Sequence, residues 1–149
     1  ELYNENVSTI GLTIGSAFSL DSGDIKLSER LFVPSSKLRG FESGKIGPKD
    51  GNDFIGGNYL TTLNISSTLP QILPNSQDTD FSFFVDVANV WGVDYDSSLN
   101  DGSKIRSSIG LGLDWFTPIG PISFTYAQPI TKDSNDVIQE FSFNLGTSF

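Results

Sequence analysis

The chain has 149 residues, no Cys, no His and a net charge of -9. A disulfide framework and a thiolate metal site are therefore excluded, and the commonest general base and metal ligand is missing. So acidic a chain, of one-domain size, does not suit nucleic acid, whose affinity rests on Lys and Arg.

Residues 7–20 alternate. Ile10, Leu12, Ile14, Phe18 and Leu20 fall on one face, and Thr9, Gly11, Thr13, Gly15, Ala17 and Ser19 on the other. Period two predicts a strand. The face opposite the apolar one is small rather than charged, which suits a lined interior better than bulk water.

Residues 21–58 break the pattern and hold most of the cations: Lys26, Arg30, Lys37, Arg39, Lys45 and Lys49. Pro34, Gly40, Gly44, Gly47, Pro48, Gly51, Gly56 and Gly57 forbid a long helix. Loops of this length are usually functional or disordered. Leu31, Phe32, Val33, Leu38, Phe41, Ile46, Phe54 and Ile55 make this one too apolar for a disordered linker. It is expected to be ordered and packed against something, with Arg39-Gly40-Phe41 as its most informative stretch.

Alternation resumes over 59–69, with a break at Leu60. After a loop at 70–80, Phe81, Phe83, Val85, Val87 and Trp91 share one strand face. Ser82, Phe84, Asp86, Ala88 and Val90 share the other. Asp86 is a carboxylate in mid-strand and needs a partner or water. An acidic loop at 92–104 leads to the clearest strand, 105–116. Thr117-Pro118-Ile119-Gly120-Pro121 reads as a tight turn. Strands at 122–130 and 141–149 follow, separated by the polar stretch 131–137.

Six antiparallel strands are thus predicted, in an all-β chain. No apolar run approaches the roughly 18 residues of a membrane helix, but barrel strands need only about 9–11 and alternate. Tyr59, Trp91, Trp115, Phe116 and Phe149 lie near strand ends, where girdle aromatics belong. A soluble β-sandwich also alternates, although its exposed faces normally carry more charge. Residue 1 falls just before a strand pattern and there is no Met, so the chain is expected to be a piece of a longer polypeptide with its targeting segment upstream.

Several segments then act together, in order and over essentially the whole chain. They are Leu38-Arg39-Gly40-Phe41, Ile46-Gly47-Pro48, Gly56-Gly57-Asn58, Phe83-Phe84-Val85-Asp86 with Val90-Trp91, and Gly112-Leu113-Asp114-Trp115. The most specific block runs from Pro118-Ile119-Gly120-Pro121 through Tyr126-Ala127-Gln128-Pro129 to Phe149. This set resembles the BamA family of outer-membrane assembly factors, in the surface-antigen and insertase superfamily.

The resemblance implies an antiparallel transmembrane β-barrel of sixteen strands, preceded by periplasmic transport-associated domains that are absent from this chain. Residues 1–149 would be its C-terminal portion, with loop 21–58 folded into the lumen. Arg39 of the lumen-loop motif would meet an inner-wall acid, which by position is Asp86, with Phe41 packed beside the pair and Gly40 allowing close approach. Phe141, Phe143, Leu145 and Phe149 would form the C-terminal strand signal. The implied activity is insertion and folding of β-barrel proteins through a lateral seam that templates client strands, in the bacterial outer membrane.

Implied partners are outer-membrane lipid, unfolded β-barrel clients and assembly lipoproteins. No nucleic acid, cofactor, metal or enzymatic step is expected. The alternative on the same fold is a polypeptide-secreting relative, of the two-partner secretion or translocation and assembly type. Asp94, Asp96, Asn100 and Asp101 lack the Gly that the twelve-residue calcium loop needs, and read as a solvated acidic loop. The fragment alone, with two open sheet edges, is expected to self-associate.

Overall fold

In the computed structural model, which describes residues 6–21, 23–69, 78–100 and 103–146, the alternating stretches become strands. In chain order these are β1 (Ser8–Ser16), then the short β2 (Gly40–Phe41), β3 (Lys49–Asp50) and β4 (Asp53–Phe54). β5 (Tyr59–Leu69), β6 (Thr79–Trp91), β7 (Arg106–Thr117), β8 (Gly120–Thr131), β9 (Ile138–Gln139) and β10 (Phe141–Leu145) follow. A six-stranded antiparallel sheet runs β1-β5-β6-β7-β8-β10, and β2-β9 and β3-β4 form two small ribbons. The expected all-β antiparallel architecture is present, and the Thr117–Gly120 turn closes the β7-β8 hairpin in register.

The register assigns faces. Asn64 pairs with Asp86, and Asp86 with Ser108. Even-numbered residues of β5, β6 and β7 therefore share one side of the sheet, as do Thr125 and Ala127 of β8. Thr62, Phe84, Asp86, Ala88, Val90, Arg106, Ser108 and Ala127 on that side are buried. What buries them is the long connection between β1 and β5, whose Val33, Leu38, Phe41 and Ile46 form the hydrophobic cluster with Leu60, Ala88 and Val90. Leu60, which breaks the small-residue pattern, is the point where the wall meets this apolar plug. The covered side is therefore less wet than the small residues of β1 suggest.

The opposite side carries Ile10, Leu12, Ile14, Ile65, Phe83, Ile109, Leu111, Tyr126, Phe141 and Phe143, all exposed. A sandwich would lay a second sheet on this apolar face, and among the described residues none does. Tyr59 stacks on Trp91 at one end, with ring centroids 5.7 Å apart. Trp115, opposite Thr79, marks the other end of the same surface. Trp91 and Thr79 lie twelve residues apart on β6. That is ~40 Å along a strand, or ~30 Å across a bilayer after a tilt of about 40°, which matches a hydrocarbon core of about 30 Å. Among the described residues no helix is long and apolar enough to cross a membrane, which says nothing of a β-barrel.

The predicted first strand is too long at its end. β1 stops at Ser16, because its partner β5 begins opposite at Tyr59. Ala17 N–H donates to Asn58 O at 2.8 Å as the chain turns away, and Phe18 and Leu20 remain exposed. The long connection also begins earlier than residue 21, and it holds a 3-10 turn at Leu27–Glu29 besides its three short strands.

Candidate functional site

Arg39 sits where a turn hands the chain to β2, with Lys37 N–H donating to Pro34 O at 3.0 Å. Its guanidinium forks onto Asp86: Nε donates to Oδ2 and Nη2 to Oδ1, each at 2.7 Å. The Arg39 backbone N–H adds a third bond to Oδ2 at 3.0 Å. Asn64 Nδ2 contributes a fourth, to Oδ1 at 2.8 Å, and also donates to Lys37 O at 2.7 Å. Both Asp86 oxygens are thus satisfied from two sides. The Asp86 side chain is 0% exposed and that of Arg39 24%. A bidentate, charge-assisted pair offsets the desolvation of a buried carboxylate only when its geometry is this complete.

The fork rests on an aromatic ring. Arg39 Cζ lies 3.4 Å from the centroid of Phe84, which is fully buried. Phe84 finds room because its cross-strand partner is Gly110. A Cβ at Gly110 would sit 2.4 Å from Phe84 Cζ and 2.3 Å from Tyr126 O. On the loop side Gly40 has φ +94, and a Cβ there would lie 3.1 Å from that of Ala127. Glycine alone adopts this conformation freely and permits this approach of loop to wall. Phe41 is 3% exposed within the hydrophobic cluster.

The expected trio Arg39, Gly40 and Phe41 and the expected partner Asp86 are therefore brought together. Asn64, Phe84 and Gly110 complete the site without having been singled out as functional. A mid-strand Asn opposite a mid-strand Asp was the available signal, and it needed the register of two strands to be seen. Of the C-terminal strand signal, Phe141, Phe143 and Leu145 point outward and are exposed, with Phe124 packed against both phenylalanines. Phe149 lies outside the described residues.

Two further arginines make the same kind of tie. Arg30 pairs with Asp94 and lies over the Tyr95 ring at 5.0 Å. Arg106 forks onto Asp136 at 3.0 and 3.1 Å, with side chains 1% and 0% exposed. Asp94, read from sequence as part of a solvated loop, is instead anchored. Burial pushes its carboxyl up, but the N–H of Ile25, its own N–H and the Arg30 guanidinium together bring it below the usual carboxylate range. Each pair crosses between a loop and either the sheet wall or a second loop.

The Omp85 superfamily domain matches residues 4–149. The outer membrane protein assembly factor BamA of Neisseria meningitidis serogroup B is 33% identical over 75% of this chain and 17% of its own length. That of Neorickettsia risticii is 28% identical over 91% of this chain and 18% of its own. A SAM50-like protein of Schizosaccharomyces pombe is 30% identical over 95% of this chain and 31% of its own. The crystal structure of Haemophilus ducreyi BamA lacking POTRA domains 1–3 superposes with a TM-score of 0.75 at 27% identity. The match covers 93% of this chain and 34% of that one. The chain thus spans less than a fifth of the length of the two bacterial relatives.

Proposed function

The chain belongs to the Omp85 superfamily, and on that premise we propose that the polypeptide carrying it is an outer-membrane protein assembly factor. It folds and inserts β-barrel proteins into the bacterial outer membrane. Residues 1–149 form the C-terminal portion of its barrel, with the connection from β1 to β5 held inside the lumen. The observation that carries this reading is the similarity to bacterial BamA and to SAM50-like proteins along nearly the whole sheet. The geometry supports it: an apolar face of bilayer height turned outward, an arginine fork inside, and unpaired edges at β1 and β10 among the described residues.

An open edge offers backbone N–H and C=O groups to an incoming strand. β10 thus supplies half of a seam at which client strands are templated. Its outward Phe141, Phe143 and Leu145 keep that edge within lipid. The partners in this reading are unfolded barrel clients, membrane lipid and the lipoproteins of the assembly machinery. Strand addition makes and breaks hydrogen bonds only, so the reading includes no covalent step and no cofactor.

The test is a charge exchange in the full-length polypeptide, read as barrel assembly in cells depleted of the native protein. Arg39→Asp and Asp86→Arg alone each leave a buried charge unpaired, which costs about 3–5 kcal/mol, and each is expected to abolish assembly. The double exchange is expected to restore it in part. Recovery stays incomplete because the Arg39 backbone N–H and Asn64 Nδ2 both donate to Asp86, and an arginine there accepts from neither. Wild-type assembly by both single variants would overturn the role given to the fork. Full assembly defects with normal secretion of a partner polypeptide would separate this reading from a secreting relative.

A further inference from the structure

The arginine loop touches more than the inner wall. β2, which begins at the residue after Arg39, pairs antiparallel with β9, with Gly40 opposite Gln139 and Phe41 opposite Ile138. The pairing continues past the ribbon. Glu42 N–H donates to Val137 O at 2.9 Å, and Val137 N–H to Lys45 O at 3.0 Å. Phe41 is buried, and Ile138 packs against the same cluster. Two residues beyond Ile138, Glu140 O accepts from Ala127 N–H of β8 at 2.8 Å, and β10 begins at Phe141.

β10 is the outermost strand of the sheet on that side. Among the described residues it is five residues long and pairs with β8 from Phe141 to Leu145, with one further backbone bond at each end, from Ala127 N–H to Glu140 O and from Gly146 N–H to Pro121 O. So short an edge strand has little to hold it but its single neighbour and whatever fixes its ends. Its upstream end is fixed by residues 137–140: Ile138 and Gln139 pair with β2, Val137 bonds to Glu42 and Lys45 just beyond it, and Glu140 is held by Ala127 of β8. β2 is in turn held by the fork of Arg39 on Asp86 and by the close seating of Gly40 on Ala127.

We infer that residues 137–140 are a positioning strap through which the arginine loop sets the start of the edge strand β10. Arg39, Phe41 and Ile138 act as positioning residues for that edge. The fork thereby reaches from the middle of the wall at β6 to an edge two strands beyond β7. This deepens the proposed function, and for its consequence in assembly it rests on that reading. The contacts that define the strap do not.

The competing anchor is Asp136, whose buried fork to Arg106 of β7 holds the residue just before the strap. If that pair alone fixed β10, loss of Arg39 would leave the edge unchanged. The two arrangements differ in a measurable way.

The experiment is amide hydrogen exchange on the full-length polypeptide in lipid nanodiscs, comparing wild type, Arg39→Ala and Arg39→Lys. The lysine variant keeps the charge without the fork and guards against a failure of Arg39→Ala to fold. A third variant adds Glu42→Cys and Val137→Cys to Arg39→Ala. These are facing surface positions, and residues 1–149 hold no other cysteine; with any cysteine elsewhere in the polypeptide replaced by serine, oxidation ties the strap directly. Exchange at residues 138–143 is expected to rise at least about tenfold in Arg39→Ala and less in Arg39→Lys, since local opening sets the exchange rate. Exchange at 111–116 should hold steady. Oxidation of the cysteine pair should restore protection at 138–143, and reduction should remove it.

Unchanged exchange at 138–143, or equal acceleration at 111–116, would overturn the strap, and so would a cysteine bridge that restores nothing. Exchange reads the strap whether or not the polypeptide assembles clients. Loss of assembly with unaltered exchange therefore overturns the strap and leaves the proposed function standing. The predicted exchange pattern in a protein that assembles nothing does the reverse.

Discussion

Arg39 Cζ lies 3.4 Å from the centroid of the Phe84 ring, while both ends of its fork hold Asp86 two residues along the same strand face. A cation against an aromatic face gains about 2 kcal/mol when desolvated. Gly110 makes this possible, because any side chain there would overlap Phe84 and the Tyr126 carbonyl.

Gly110→Ala is accordingly expected to displace Phe84, tilt the fork and destabilise the folded barrel by about 1–3 kcal/mol, the usual cost of overpacking. Phe84→Leu fills most of the space without a π face, and should cost less than Phe84→Ala, which is expected to lose about 3–5 kcal/mol. Urea unfolding of the full-length polypeptide in lipid vesicles checks the order. A neutral Gly110→Ala would mean that the ring is not confined as the geometry requires.

The outward face makes a depth prediction. Leu111 is exposed in the middle of β7 and Trp115, on the same outward face, near its end. An arginine on a lipid-facing barrel surface costs about 2–4 kcal/mol at the midplane and about 0–1 near the interface. Leu111→Arg should therefore destabilise by several times as much as Trp115→Arg, measured by unfolding in vesicles. Equal costs at the two sites would mean that this face does not meet hydrocarbon.

Acid should loosen the loops at the aromatic end formed by Tyr59 and Trp91 before it affects the sheet. Asp94 is held below the usual carboxylate range by the bonds described above. Asp133 is held there by the Asn135 N–H, against the effect of its burial, with help from Lys104, the Ser134 hydroxyl and Arg106. A carboxyl with a depressed folded pKa adds stability that is present above its unfolded pKa, about 3.9, and is lost as pH falls through the folded value. Protection of 92–100 and 133–137 from hydrogen exchange should thus be constant from pH 7 to 5 and fall below about pH 4. A loss between pH 7 and 5 would assign the control to another group, and this chain has no His to supply it.

Much of the sheet was legible in the chain because alternation is local. A strand with one face in lipid must place apolar residues at every second position. Ile10, Leu12 and Ile14, or Ile109, Leu111 and Leu113, state that requirement within a few residues. Asp86 was legible for a related reason. It is a charge in mid-strand, where the alternation has no place for one, and a buried charge demands a partner; that the partner is Arg39 was implied by the family resemblance and not by the pattern.

The tertiary structure alone decided what depends on residues far apart meeting. Asn64 reaches both Asp86 and Lys37, Arg30 reaches Asp94, and Phe41 reaches Ile138. None of these pairs leaves a periodic trace, because a loop residue's partner is set by where the loop docks and not by its spacing. The end of β1 shows the same limit from the other side. Phe18 and Leu20 continue the alternation, but a strand ends where its partner does, and beyond Tyr59 the last described bond is that of Ala17 N–H to Asn58 O. Local periodicity thus determined that this chain makes an apolar-faced antiparallel sheet. Docking of its long loop decided which charges meet, and which edge of the sheet they hold.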